Sequence, residues 1–175
     1  MKQPMHADEF LTRGAAWVAL SLYSASEFAR SLPRGKTMEI AARGLSTLGC
    51  ATLLAHIICA FQFYHAWSHT AAYADTARQT AALVGWDWGG GLYVNYLFAL
   101  VWLGEVAWSW CSPRDYNERP KWVTRLVRGF FLFMIVNGAV IFAQGPMRWL
   151  GVCLCWLLAG CWWKNSRSKP WQGGA

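Results

Sequence analysis

The run GLSTLGCATLLAHIICAFQFYHAWSHTAAYA, Gly44 to Ala74, contains no Asp, Glu, Lys or Arg. A helix needs about 20 apolar residues to cross the hydrocarbon core of a bilayer. The first part of the run, 45–67, meets that requirement and leaves an extension beyond it. Working outward, residues 88–104 are also uncharged, and apolar character continues past Glu105 to Cys111. Two more uncharged windows follow at 129–147 and 149–163, split by Arg148. Gln144-Gly145-Pro146 is a turn signal, so these two windows read as an antiparallel helical hairpin. On the other side of the opening run, 10–32 is long enough to span if Arg13 and Arg30 reach outward. Trp17, Val18, Leu20, Leu22 and Tyr23 go all round that helix and leave no polar face.

The expected fold is therefore all-α: a multi-pass integral membrane bundle in one domain over 1–175, with five transmembrane helices near 10–32, 45–67, 90–110, 128–144 and 147–163. The count falls to four if the first helix is interfacial. A short extracytoplasmic helix is expected after Asp75, which can cap it, running from Thr76 to Val84 with Gly85 just past its end.

Composition agrees. The chain is 55% hydrophobic and 14% charged, where a soluble domain averages about one quarter charged. That excludes a disordered chain and a typical soluble enzyme. The net charge of +7 would suggest nucleic acid in a soluble protein, but its distribution points to a bilayer. Segment 33–44 carries Arg34, Lys36 and Arg43. Segment 111–128 carries Arg114, Arg119, Lys121, Arg125 and Arg128, and the tail carries Lys164, Arg167 and Lys169. Between them, 68–91 carries only Arg78 and the 144–148 turn only Arg148. This alternation is the positive-inside pattern, with the rich segments cytoplasmic. Lipid is thus an expected partner, alongside other membrane subunits or a second copy, and nucleic acid is not. Most of the 13 tryptophans fall at the ends of the spans, as aromatic belts do. Lys2 is a weak signal-sequence n-region, and Asp8, Glu9 and Arg13 argue against cleavage, so the first segment is kept. The whole fits a bacterial inner (plasma) membrane.

Candidate functional groups are the polar residues at membrane depth, because each is costly there without a partner. His56 is the middle of the second span and Asn137 is near the middle of the fourth. Glu27 and Glu105 lie about five residues, or roughly 7–8 Å, to the cytoplasmic side of centre. Thr52 is one turn from His56. A chain His56–Thr52–Glu105, with Asn137 beside His56, is expected either as a hydrogen-bond network that specifies packing or as a proton or cation pathway. Arg30, one turn from Glu27, is placed to neutralise it.

His65 and His69, at i,i+4 with Gln62 one turn earlier and Asp75 within reach, form a candidate site for Zn or Cu. A haem is disfavoured: His56, His65 and His69 share one span and His6 is in the tail, so no two facing helices supply histidines. The six cysteines sit in apolar segments or at their ends. Cys153 and Cys155 point about 200° apart on a helix and cannot aim at one ion, so they read as packing residues. Phosphate loops, dinucleotide fingerprints and nucleophile elbows are missing from the sequence. The expectation is a scaffold or accessory subunit of a membrane assembly rather than an enzyme. A small proton-coupled or cation transport protein is the alternative, and an outer-face metal or redox site is the third reading.

Overall fold

The computed structural model describes residues 7–33, 35–143 and 145–167. Lys2, His6, Arg34, Gln144 and Lys169 lie outside them. The described chain is helical, with no strand among the described residues. Its elements are α1 (Ala7–Ser31), α2 (Lys36–Tyr64), α3 (His69–Val84), α4 (Gly91–Cys111), α5 (Pro113–Glu118), α6 (Lys121–Val136) with a π-helical extension (Asn137–Ile141), and α7 (Met147–Arg167). Among the described residues, three helices are long and apolar enough to cross a membrane: α2, α4, and α6 with its extension. Helices α1 and α7 have the length, at 25 and 21 residues, but are less densely apolar.

Local chemistry explains the boundaries. Helix α2 starts nine residues before the expected 45, after an extended Gly35, because charged residues at a helix end do not stop the helix. It ends at Tyr64, short of the expected 67, where Ala66 and Trp67 take left-handed conformations (φ 44 and 61). Helix α3 is longer than the sequence suggests. Ser68 caps it, its hydroxyl accepting from the Ala71 amide at 3.2 Å. Asp75 is not a cap. It sits inside the helix and accepts from Arg78 Nη2 and Gln79 Nε2. Gly85 does close α3, at φ 73. Pro113 opens α5 at a position where its missing N–H costs nothing, and Pro120 precedes α6.

Five long helices form a closed ring: α1 packs on α2, α2 on α4, α4 on α6, α6 and its π turn on α7, and α7 on α1. Aromatic rings fill its axis. Tyr23 stacks on Phe131 at 4.6 Å and meets Trp102 edge-on at 5.4 Å, while Phe98 meets Phe131 at 4.8 Å. Trp102 and Ile135 are fully buried beside them. Gly49 is what lets Trp102 lie against α2, since a Cβ there would come within 2.8 Å of the indole. Gly151 similarly lets α7 approach the Ala139 carbonyl of the π turn.

The helix ends divide into two sets. The C-termini of α1, α4 and α7, the N-termini of α2 and α6, and all of α5 lie at one end, called here the basic end. Helix α3 belongs to the opposite end.

Candidate functional site

The charged side chains buried in the bundle gather at the basic end. Glu27, on the last turns of α1, is buried. Its Oε2 accepts from Arg128 Nε on α6 at 3.0 Å and from Trp162 Nε1 on α7 at 2.7 Å, and Arg128 Nη2 lies 2.9 Å away. The indole of Trp162 also lies 5.6 Å from the Arg128 guanidinium carbon. Glu27 thus ties α1, α6 and α7 together.

Glu105 on α4 is the second carboxylate. Arg119 Nη1 donates to both of its oxygens, at 2.5 and 2.7 Å, and the Tyr116 hydroxyl donates at 3.0 Å. Both partners come from the connection between α4 and α6. That connection folds back because α5 packs against α4. Arg119 is extended (ψ 147), as a residue before proline must be, and this carries its guanidinium from the surface back to Glu105. Arg119 also stacks on Tyr116 at 4.3 Å and donates through Nε to Thr124 at 3.0 Å. Burial pushes the Tyr116 hydroxyl above the usual phenol range; Arg30 opposes this and Glu105 adds to it. Burial would lower the Arg119 value, but the hydrogen bond to Glu105 and the Tyr116 and Glu105 charges outweigh it and raise it.

Arg30 bridges the two halves. It lies 5.2 Å from the Tyr116 ring centre and 3.5 Å, through Nε, from Glu27 Oε1. The expected Arg30–Glu27 neighbourhood is present, but Arg128 and Trp162 make the hydrogen bonds. A small cavity of about 20 Å³, room for about one water, lies among Glu27, Arg30, Glu105, Tyr116, Arg119 and Arg128.

Of the five polar residues expected at membrane depth, Glu27 and Glu105 line one cavity, while His56, Thr52 and Asn137 bond elsewhere. His56 Nδ1 pairs with the Thr12 carbonyl of α1 at 2.8 Å. A carbonyl only accepts, so Nδ1 carries the proton. Thr52 turns back to the Leu48 carbonyl of its own helix, and Asn137 to the Phe133 carbonyl of its own. Glu105 goes to Arg119 and Glu27 to Arg128. Two physical reasons explain the change. Threonine and asparagine have an acceptor one turn back in any helix. Arginines, Arg119 from the folded-back connection and Arg128 from α6, are stronger partners for a carboxylate than a distant imidazole.

The premise for a shared metal face also changes. His65 follows the end of α2 and His69 begins α3, with the two left-handed residues between them, so they do not lie one turn apart on one helix. The His65 ring meets Phe61 edge-on at 5.7 Å, and His69 lies 5.6 Å from Tyr93. Gln62 accepts from the Trp67 indole at 2.9 Å, and Asp75 is held by Arg78 and Gln79. Among the described residues no three His, Cys, Asp or Glu side chains group to hold a metal ion.

Sequence reasoning missed the roles of Arg119, Arg128, Tyr116 and Trp162. The available signal was an excess of arginine next to Arg119-Pro120, which restricts the backbone of the residue before it. Comparison with protein-family models, with characterised proteins and with solved structures gives no match.

Proposed function

We propose that this chain is a structural subunit: a five-span scaffold or accessory protein of a membrane assembly, set in a plasma membrane with its basic end cytoplasmic. The observation that carries this reading is the filled axis. Tyr23, Phe98, Trp102 and Phe131 interlock across the ring of helices, and the carboxylates of Glu27 and Glu105 are engaged by arginines at one end. A transport path would need groups free to bind and release along the axis. Here His56 is committed to a backbone carbonyl and both Glu105 oxygens to Arg119 Nη1. Placement of α1 and α7 as spans is supported by their length and by their positions in the closed ring, where each has a neighbouring helix on both sides.

The outer surface suits an embedded subunit. Trp156, Trp149 and Leu126 are among the most exposed residues, as expected of a surface facing lipid or neighbouring subunits rather than water. Two experiments test the reading. Mild-detergent extracts of native membranes are expected to contain the chain in a complex of constant stoichiometry. Vesicles holding the purified chain and a pH-sensitive dye are expected to pass no protons beyond the lipid background. Proton flux that His56→Leu removes would replace this reading with the transport one.

A further inference from the structure

The charges of the basic-end cluster do not balance. Arg30, Arg43, Arg119 and Arg128 face three carboxylates, Glu27, Glu39 and Glu105, which leaves one positive charge over. Tyr116 adds none, because burial holds its phenol in the neutral form. The hydrogen bonding is also incomplete. Arg30 Nε is buried and has no hydrogen-bond partner among the described residues, its 3.5 Å approach to Glu27 Oε1 being longer than a normal N–H···O bond. A buried N–H left unpaired is costly, while the Arg30 side chain as a whole is 21% exposed and so is reached from the surface. Arg30 also lines the small cavity.

From the surplus charge, the unpaired donor and the cavity together, we infer that the basic end is a seat for one phosphate group, with an anionic oxygen entering the cavity against Arg30. Phosphate suits the site because its oxygens accept from guanidinium groups in directed bonds. The cavity admits a single oxygen and not a whole headgroup, so the rest of the ligand must lie at the surface. Lys36, Lys121 and Arg125 are exposed on the first turns of α2 and α6 at that end, where they add attraction to an anionic headgroup. The donor is the phosphodiester of an anionic lipid or a soluble phosphate, and the chemistry at Arg30 is the same for both. This inference rests on the bundle being embedded in lipid but not on its having a protein partner.

The test is a thermal-unfolding titration of the purified full chain in neutral detergent, with phosphatidylglycerol, phosphatidylcholine and inorganic phosphate as the probes. Phosphatidylglycerol is expected to raise the midpoint and to saturate near one lipid per chain, with phosphatidylcholine doing markedly less. Arg30→Gln is expected to weaken the phosphatidylglycerol effect by about tenfold in concentration, while Lys121→Gln changes it less than about twofold. Stabilisation by inorganic phosphate that Arg30→Gln also removes supports the seat and names soluble phosphate as its source. Equal losses from Arg30→Gln and Lys121→Gln would mean diffuse surface attraction and overturn the inference. If Arg30→Gln fails to fold, the unmodified chain decides: saturation at one phosphate per chain supports the seat, and unsaturable or equal stabilisation by the two lipids overturns it.

Discussion

Glu27 accepts hydrogen bonds from α6 and α7 while belonging to α1, so its loss should be felt by three helices. Removing one partner of a buried ion pair leaves the other uncompensated, at a cost of about 3–5 kcal/mol. Glu27→Gln is expected to lose about 3 kcal/mol in a denaturant titration of the purified chain, and pairing it with Arg128→Gln should restore part of the loss. Full additivity of the two would show that the contact contributes nothing. Tyr116 makes a pH prediction. Its folded value is raised, so its contribution is complete below the unfolded phenol value of about 10 and falls as pH rises through the folded one. The stability difference between the natural chain and Tyr116→Phe should therefore be constant from pH 7 to 9 and should shift against the natural chain above about pH 10. That Glu27 and Glu105 lie toward the same end of the bundle was legible from counting along the helices. Their partners were not, because nothing in helical periodicity says that a loop arginine such as Arg119 will return to a helix it has left.

At the scale of elements, close approach depends on single small residues. Gly49→Val would press a branched side chain into Trp102 and the Ala19 carbonyl, which a Cβ alone would already approach to 2.8 and 3.2 Å. A loss of about 1–3 kcal/mol in thermal or denaturant unfolding is expected. Ala66 is held at φ 44 where α2 turns toward α3, a conformation costing an L residue roughly 1–2 kcal/mol. Ala66→Gly is expected to gain about 0.5–1 kcal/mol in the same assay. The long uncharged windows marked α2, α4 and α6 well, because the bilayer requirement is written directly in composition. Boundaries were less legible. Ser68 rather than Asp75 caps α3, and both are good capping types, so only the chain's path chooses between them. Helix α5 is hidden in a polar stretch whose six residues are too short for a period to show. The i,i+4 spacing of His65 and His69 means a shared face only inside an unbroken helix, and the turn at Ala66 and Trp67 removes it.

The whole molecule is a ring of helices closed by α1 against α7, with an aromatic axis, a charged lock at one end and α3 at the other. In the proposed five-span arrangement α1 and α7 cross the bilayer together with α2, α4 and α6, so that Asp8 and α3 share one side and α5 occupies the other. The proposed cytoplasmic basic end and the subunit reading both depend on this arrangement. It is tested most directly by single engineered cysteines at Asp8, at the exposed Ala82 of α3 and at the exposed Asp115 of α5, in a chain whose native cysteines have been replaced. The measurement is their labelling by a membrane-impermeant maleimide in intact cells and after lysis. Asp8→Cys and Ala82→Cys are expected to label in intact cells, and Asp115→Cys only after lysis. Labelling of Asp8→Cys only after lysis, with Ala82→Cys labelled from outside, would place both ends of α1 on the cytoplasmic side and contradict the five-span bundle.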